Sequence, residues 1–133
     1  IPEWGLAKAR RVAAADLRES FVHAHGVAFQ ALAILGADLM EESPRGWKKK
    51  LAGLKSVDWS RSNTKAWEGR ALSNGRVSKA QASVRRTANL LKENVGLELT
   101  DDDKKYEDHV EQSKSPRPKK ANSRRKRSVE ATL

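Results

Sequence analysis

Residues 21–40 constrain the fold more than any other stretch of this chain. Phe21, His25, Ala28, Phe29, Leu32, Leu35, Gly36 and Leu39 mark one face of a helix, and Val22, Val27, Ala31 and Ile34 make the other faces apolar too. A helix apolar all round predicts burial at the centre of a helical domain. The rival reading is a membrane span. From Gly26 to Ala37 only Gln30 is polar, but that window falls well short of the ~20 residues a bilayer requires. The buried core helix is the better fit.

The rest of the chain supplies partners for such a helix. Upstream, Leu6, Ala9, Ala13 and Leu17 recur at helical spacing, in one bent helix or two. Glu41 to Gly46 reads as a loop, with Pro44 and Gly46 as breakers. A short helix follows in which Trp47, Leu51 and Leu54 share a face. Lys48, Lys49 and Lys50 spread around it as either a solvated face or a phosphate-contacting patch. Asn74-Gly75 is a strong two-residue turn signal, leaving open a minimal β-ribbon or a plain helix-to-helix loop. Ser78 is expected to cap the next helix, whose apolar stripe is Val77, Ala80, Val84, Ala88, Leu91 and Val95, with Gly96 as its stop. Thr100 caps a short acidic helix beginning with Asp101, Asp102 and Asp103, acids that suit a helix N-terminus.

These pieces predict a mainly α fold. It is a small helical domain of four to five helices over residues 1–112, with the minimal β-ribbon still open, followed by a disordered basic tail over 113–133.

Charge limits the classes of partner. The net charge of +10 points to a polyanion such as nucleic acid. It is unevenly placed: −1 over residues 1–45, +8 over 46–99, −4 over 100–112 and +7 over 113–133. The chain has no cysteine, which removes disulfides, thiolate metal sites and cysteine nucleophiles and suits a reducing, cytoplasmic setting. The opening residues carry neither an initiator methionine nor the cationic and apolar regions of a signal peptide, so a piece of a longer protein is a real alternative.

Sites for chemistry are sparse. His23 and His25 are two apart and would point to different sides of a helix, and His109 lies far along the chain, so no metal or other cofactor is expected. His25 is expected against the core and His23 at its edge. The carboxylates of Asp58 and Glu68 are flanked by arginines, which makes them poor general acids, so the chain is not expected to be an enzyme. Trp59 and Trp67 are expected to cover one end of the apolar helix, their indole N–H groups meeting Asp58, Glu68 or a backbone carbonyl. Asp58 with Arg61, and Glu68 with Arg70, are expected to form local ion pairs. The helix after Ser78 is the better functional candidate, because Lys79, Gln81, Ser83, Arg85, Arg86 and Asn89 are types that bond phosphates and base edges. Arg76 precedes it, and its first turns could be presented to a major groove.

The sequence Asp58-Trp59-Ser60-Arg61-Ser62-Asn63, then Trp67-Glu68-Gly69-Arg70-Ala71, Asn74-Gly75-Arg76-Val77-Ser78-Lys79 and Thr87-Ala88-Asn89-Leu90-Leu91-Lys92, closing with Gly96-Leu97-Glu98-Leu99-Thr100, resembles the C-terminal part of the DndB family. The resemblance runs over roughly residues 4–110 and places Asp58, Trp59, Arg61, Asn63, Trp67, Glu68 and Arg70 in a shared motif. The Asp-Gly-Gln-His-Arg motif of the wider DGQHR-domain group is not in this chain, so the function of that N-terminal part does not carry over. The resemblance implies a DNA-binding regulator, of the transcriptional repressor type, in bacterial phosphorothioate modification of DNA. It implies DNA as partner, together with other components of the modification system; the contacts expected from charge and position are Arg76, Lys79, Arg85, Arg86 and Asn89, helped by Lys48, Lys49, Lys50 and the basic tail. The alternative is a protein-interaction module that docks onto the modification complex through a tryptophan surface. The oligomeric state is open.

Overall fold

A computed structural model describes residues 1–114. Helices α1 (Pro2–Lys8) and α2 (Ala14–Ser20) are separate, because the chain reverses between them with Arg10 at positive φ. A single 3-10 turn, Val22–Ala24, leads into α3 (Gly26–Glu42), then α4 (Trp47–Lys50), a second 3-10 segment (Leu51–Ser56) and α5 (Thr64–Trp67). Strands β1 (Leu72–Ser73) and β2 (Arg76–Val77) precede α6 (Gln81–Asn94) and α7 (Asp101–Lys114). The fold is mainly α as expected. It has more, shorter helices than the periodicity suggested, because the chain turns at 9–13 and 21–25. The last helix reaches Lys114; the remainder of the expected tail, 115–133, lies outside the described residues.

The principal packing is α3 against α6. Val27, Ala28, Ala31, Leu35 and Leu39 of α3 meet Val84, Ala88 and Leu91 of α6 in one core with Trp59, Trp67 and Leu72. The two helices run in the same direction: Val84 lines a cavity with Val27, and Lys92 is bonded to Asp38. One expectation fails here. α3 is buried along a single face, and Phe29, on the other side, is 50% exposed, resting on Trp4 at 5.3 Å. The domain has too few helices to wrap α3 completely.

The histidine assignment is also reversed. The 3-10 turn shifts residues 22–24 out of α3's register, so His23 is fully buried and His25 is only half-buried. His23 sits stacked on Phe21 at 4.8 Å and edge-on to Trp59 at 5.8 Å. Trp4 Nε1 donates to His23 Nδ1 at 3.1 Å, which leaves the ring proton on Nε2, 3.3 Å from a Glu3 carboxylate oxygen. Burial lowers the His23 pKa below its ordinary 6.5, against the opposing pull of Glu3.

The tryptophans behave as the sequence suggested. Trp59 and Trp67 stack with ring centroids 5.3 Å apart, and Trp67 Nε1 donates to the Asp58 carbonyl at 2.9 Å. Asn63 Nδ2 donates to the same oxygen at 3.1 Å, so the Asn63 side chain is committed to Asp58 and does not cap α5.

Helix α7 is held by polar groups. Its first turn carries a capping box: the Asp103 amide donates to Thr100 Oγ1 at 3.2 Å, and the Thr100 amide donates to Asp103 Oδ2 at 3.1 Å. That same carboxylate oxygen accepts from Lys92 Nζ at 2.9 Å, and Lys92 also reaches Asp38 of α3 at 2.7 Å. Asn89 donates to the Asp103 carbonyl at 2.8 Å and to Glu107 at 3.1 Å. Arg70 grips Glu107 with two parallel hydrogen bonds of 2.6 Å. Burial alone would lower the Lys92 pKa, but its bonds to Asp38 and Asp103 outweigh that and raise it. Burial would raise the Asp103 pKa, yet Lys92 and Thr100 bring it below its ordinary value.

Two consequences are measurable. A Cβ added at Gly53 would run into the Asn94 carbonyl oxygen, with the Asn94 carbonyl carbon and Val95 Cα at 3.1 Å, all of them backbone atoms. Gly53→Ala is therefore expected to lose about 1–3 kcal/mol in urea unfolding, and an unchanged midpoint would refute the close approach. Because the folded-state pKa of His23 is below its unfolded value, the unfolded chain binds the extra proton and stability falls as pH drops below about 6.5. The urea midpoint of His23→Gln should fall less between pH 7 and pH 5 than the wild-type midpoint does. Equal losses would show that His23 does not carry the effect.

Candidate nucleic-acid interface

The residues singled out for polyanion contact do not form one surface. Asn89 is 1% exposed and its amide is used up on α7, which removes it from any interface. Ser83 is buried as well, its hydroxyl bonded to Ser78 Oγ at 2.7 Å. Arg86 is half-buried, with its Nε enclosed, and its carbonyl accepts from Arg70 at 2.7 Å. Arg85 is exposed, but it lines a groove of about 500 Å³ with Asp38, Glu41, Glu42, Glu98 and Asp102. Those carboxylates would repel a phosphate brought there.

With α3, α7 and the 51–56 segment packed on it, α6 keeps Gln81, Arg85 and Glu93 exposed. Of the residues of this helix expected to read a groove, only Gln81 and Arg85 are exposed. Lys48 and Lys49 are exposed and Lys50 is half-buried. The segment that follows them packs on the C-terminal end of α6, where Gly53 meets Asn94. Lys79 precedes the N-terminal end of α6, and a helix of fourteen residues is about 21 Å long. The lysine run and Lys79 therefore belong to different ends of the molecule.

Lys79 and Arg76 do share an end, and the structure adds Arg61 to it. Strands β1 and β2 pair Leu72 with Val77 and Ser73 with Arg76, and the turn residues Asn74 and Gly75 take φ of 51° and 76°. Positive φ at both central residues is the hairpin turn that matches strand twist, which Asn-Gly adopts readily. Ser78 donates its amide to the Ala71 carbonyl at 2.8 Å, so the extended chain runs on to Ala80 and α6 begins only at Gln81. Ser78 is thus not the helix cap. Its hydroxyl accepts from the Ala80 amide at 3.3 Å, and Lys79 stands outside the helix.

The hairpin is braced from both sides. Glu68 accepts hydrogen bonds from the Asn74 and Gly75 amides. Arg61 donates to the Gly75 carbonyl at 3.1 Å and to the Arg18 carbonyl at 3.3 Å, tying the end of α2 to the tip. His25 Nε2 bonds the same Arg18 carbonyl at 2.6 Å, and His25 lines a cavity of about 290 Å³ with Gly26, Gln30, Ser78 and Lys79. The expected local pairs are therefore replaced. Arg61 bonds carbonyls, Asp58 accepts from the Ser60 amide at 3.0 Å, Glu68 holds the turn, and Arg70 crosses to Glu107. The Ser60 amide brings the Asp58 carboxyl below its ordinary range.

Arg61, Arg76 and Lys79 thus lie around the hairpin, and Arg18 is joined to it through its carbonyl while its side chain lines a separate cavity with Trp4, Ala7 and Phe29; none of the four forms an ion pair among the described residues. Arg61 was legible as part of a motif but not as a surface cation, and its link to Arg18 gave no signal, because the two are 43 residues apart. Among the described residues no group of three or more His, Asp or Glu is placed to hold a metal ion. No described helix is long and apolar enough to cross a membrane.

The family model described as DndB: DNA-sulfur modification-associated matches residues 1–98. No curated protein and no solved structure matched in the corresponding comparisons.

Proposed function

The chain belongs to the DndB family of DNA-sulfur modification-associated proteins, which implies a role in a DNA sulfur modification system, and from that premise we propose that it is a DNA-binding regulator of the repressor type. It acts in the bacterial cytoplasm, on the operon that encodes phosphorothioate modification, by binding and not by catalysis. The observation that carries this reading is that Arg61, Arg76 and Lys79 gather around a braced hairpin, none of them in an ion pair among the described residues. Such a surface suits the phosphodiester backbone. The carboxylates Asp58 and Glu68 are both occupied by backbone amides, which supports a binding role over acid–base chemistry. Other components of the modification system are proposed partners.

The tryptophan-surface version of the alternative loses its basis. Trp67 is 0% exposed and Trp59 is buried beside it.

The test is fluorescence anisotropy of the full chain on a duplex from the promoter of the modification operon, titrated with salt. Three engaged cations predict a slope of log K against log[salt] of about −3 or steeper. No binding at low salt would overturn the proposal, and salt-insensitive binding to a partner protein with no DNA shift would replace it with an interaction module.

A further inference from the structure

We propose that the hairpin tip is the groove-reading element of this protein: Arg76 enters a DNA minor groove while Lys79 holds a flanking phosphate. This rests on the DNA-binding reading above and names the residue that would give it sequence preference.

Ser73, Asn74, Gly75 and Arg76 are all exposed, whereas Leu72 immediately before them is 1% exposed. The tip therefore stands on a core residue and presents four consecutive polar or small residues to solvent. Its conformation is set before any ligand arrives. Glu68 accepts from two of its amides, Arg61 donates to its Gly75 carbonyl, and the Ser73–Arg76 pairing closes the ladder. The Glu68 carboxylate is turned toward those two amides, on which both of its oxygens are held. A preorganised backbone loses little entropy on binding, which favours recognition by this tip over a mobile loop.

The size of the hairpin decides which groove it suits. Strands of two residues extend only about 7 Å, too short to lie along a major groove about 12 Å wide and make the several side-chain contacts that base patterns there require. A minor groove about 6 Å wide needs only one inserted side chain, and the deepened negative potential of narrow A-tract grooves attracts arginine in particular. Asn74 and Ser73 beside Arg76 add donors of the kind that meet the adenine N3 and thymine O2 acceptors. Lys79 lies beyond β2, lining the cavity that also holds His25. Through His25 and Arg61, both bonded to the Arg18 carbonyl, the end of α2 is fixed beside the tip. Lys79 thus stands beside the hairpin, where a phosphate strand would run past an inserted arginine.

The test compares two duplexes of equal length, one containing an A-tract and one built of G·C pairs, by anisotropy with the full chain at fixed moderate salt. Wild type is expected to prefer the A-tract duplex. Arg76→Ala should bring the two affinities within about twofold, whereas Lys79→Ala should weaken both by a similar factor and keep their ratio. The urea midpoint of Arg76→Ala, at an exposed position, should match wild type and so exclude unfolding. Equal wild-type affinities, or an Arg76→Ala variant that retains the preference, would overturn groove reading while leaving DNA binding intact. Failure of the wild type to bind either duplex would overturn the DNA-binding reading itself.

Discussion

Lys92 is the residue on which three helices converge. Its ammonium, enclosed within the fold, bonds Asp38 of α3 and Asp103 of α7 from its own place on α6. Taking a charge out of water is costly, and only close, well-formed partners offset it. Here Asp103 is itself fixed by its capping box with Thr100, so the acceptor is in place before the lysine arrives. Arg70, Asn89 and Glu107 continue this polar strip along α6, and Val110 is the one buried apolar residue of the final helix. Helix α7 is joined to the domain chiefly by directional bonds, whereas α3 and α6 are joined by apolar packing.

This arrangement also sets the electrical shape of the molecule. Since α3 and α6 run the same way, Asp38, Glu41 and Glu42 come to lie with Lys92 and Glu98 at one end. Gly26 and Lys79 lie at the other. At the hairpin end Arg61, Arg76 and Lys79 form no ion pair among the described residues, and the Glu68 carboxylate bonds turn amides, while Arg85 lines the acidic groove. A net charge of +10 read from the chain says nothing about this division. It follows from helix direction, and helix direction follows from the connection through residues 43–80.

What was legible in the sequence was what short segments decide. Asn74-Gly75 demands positive φ, Gly96 takes the left-handed stop at φ 76°, and Thr100 with Asp103 forms a box within four residues. The large indoles of Trp59 and Trp67 had to be buried, and Trp67 needed a partner for its N–H group. What was not legible depends on distance along the chain. A lysine, arginine or asparagine on a helix reads as solvated unless its partner is known. The partners of Arg70, Asn89 and Lys92 lie 37, 18 and 11 residues away. Ser78 misled for a related reason, because its hydroxyl serves Ala80 and Ser83 within an extension of the β-ribbon. The positions with long-range partners are the ones that divide interior from interface.

Whether α7 is held by this strip can be measured most directly by a double-mutant cycle on Arg70 and Glu107 in urea unfolding. The pair is bidentate, with side chains 8% and 24% exposed. A buried pair of this geometry predicts a coupling of about 2 kcal/mol, above the 1 kcal/mol or less typical of exposed pairs. Additive losses for Arg70→Met and Glu107→Gln, within about 0.5 kcal/mol, would contradict it and would mean that this pair does not help to hold α7.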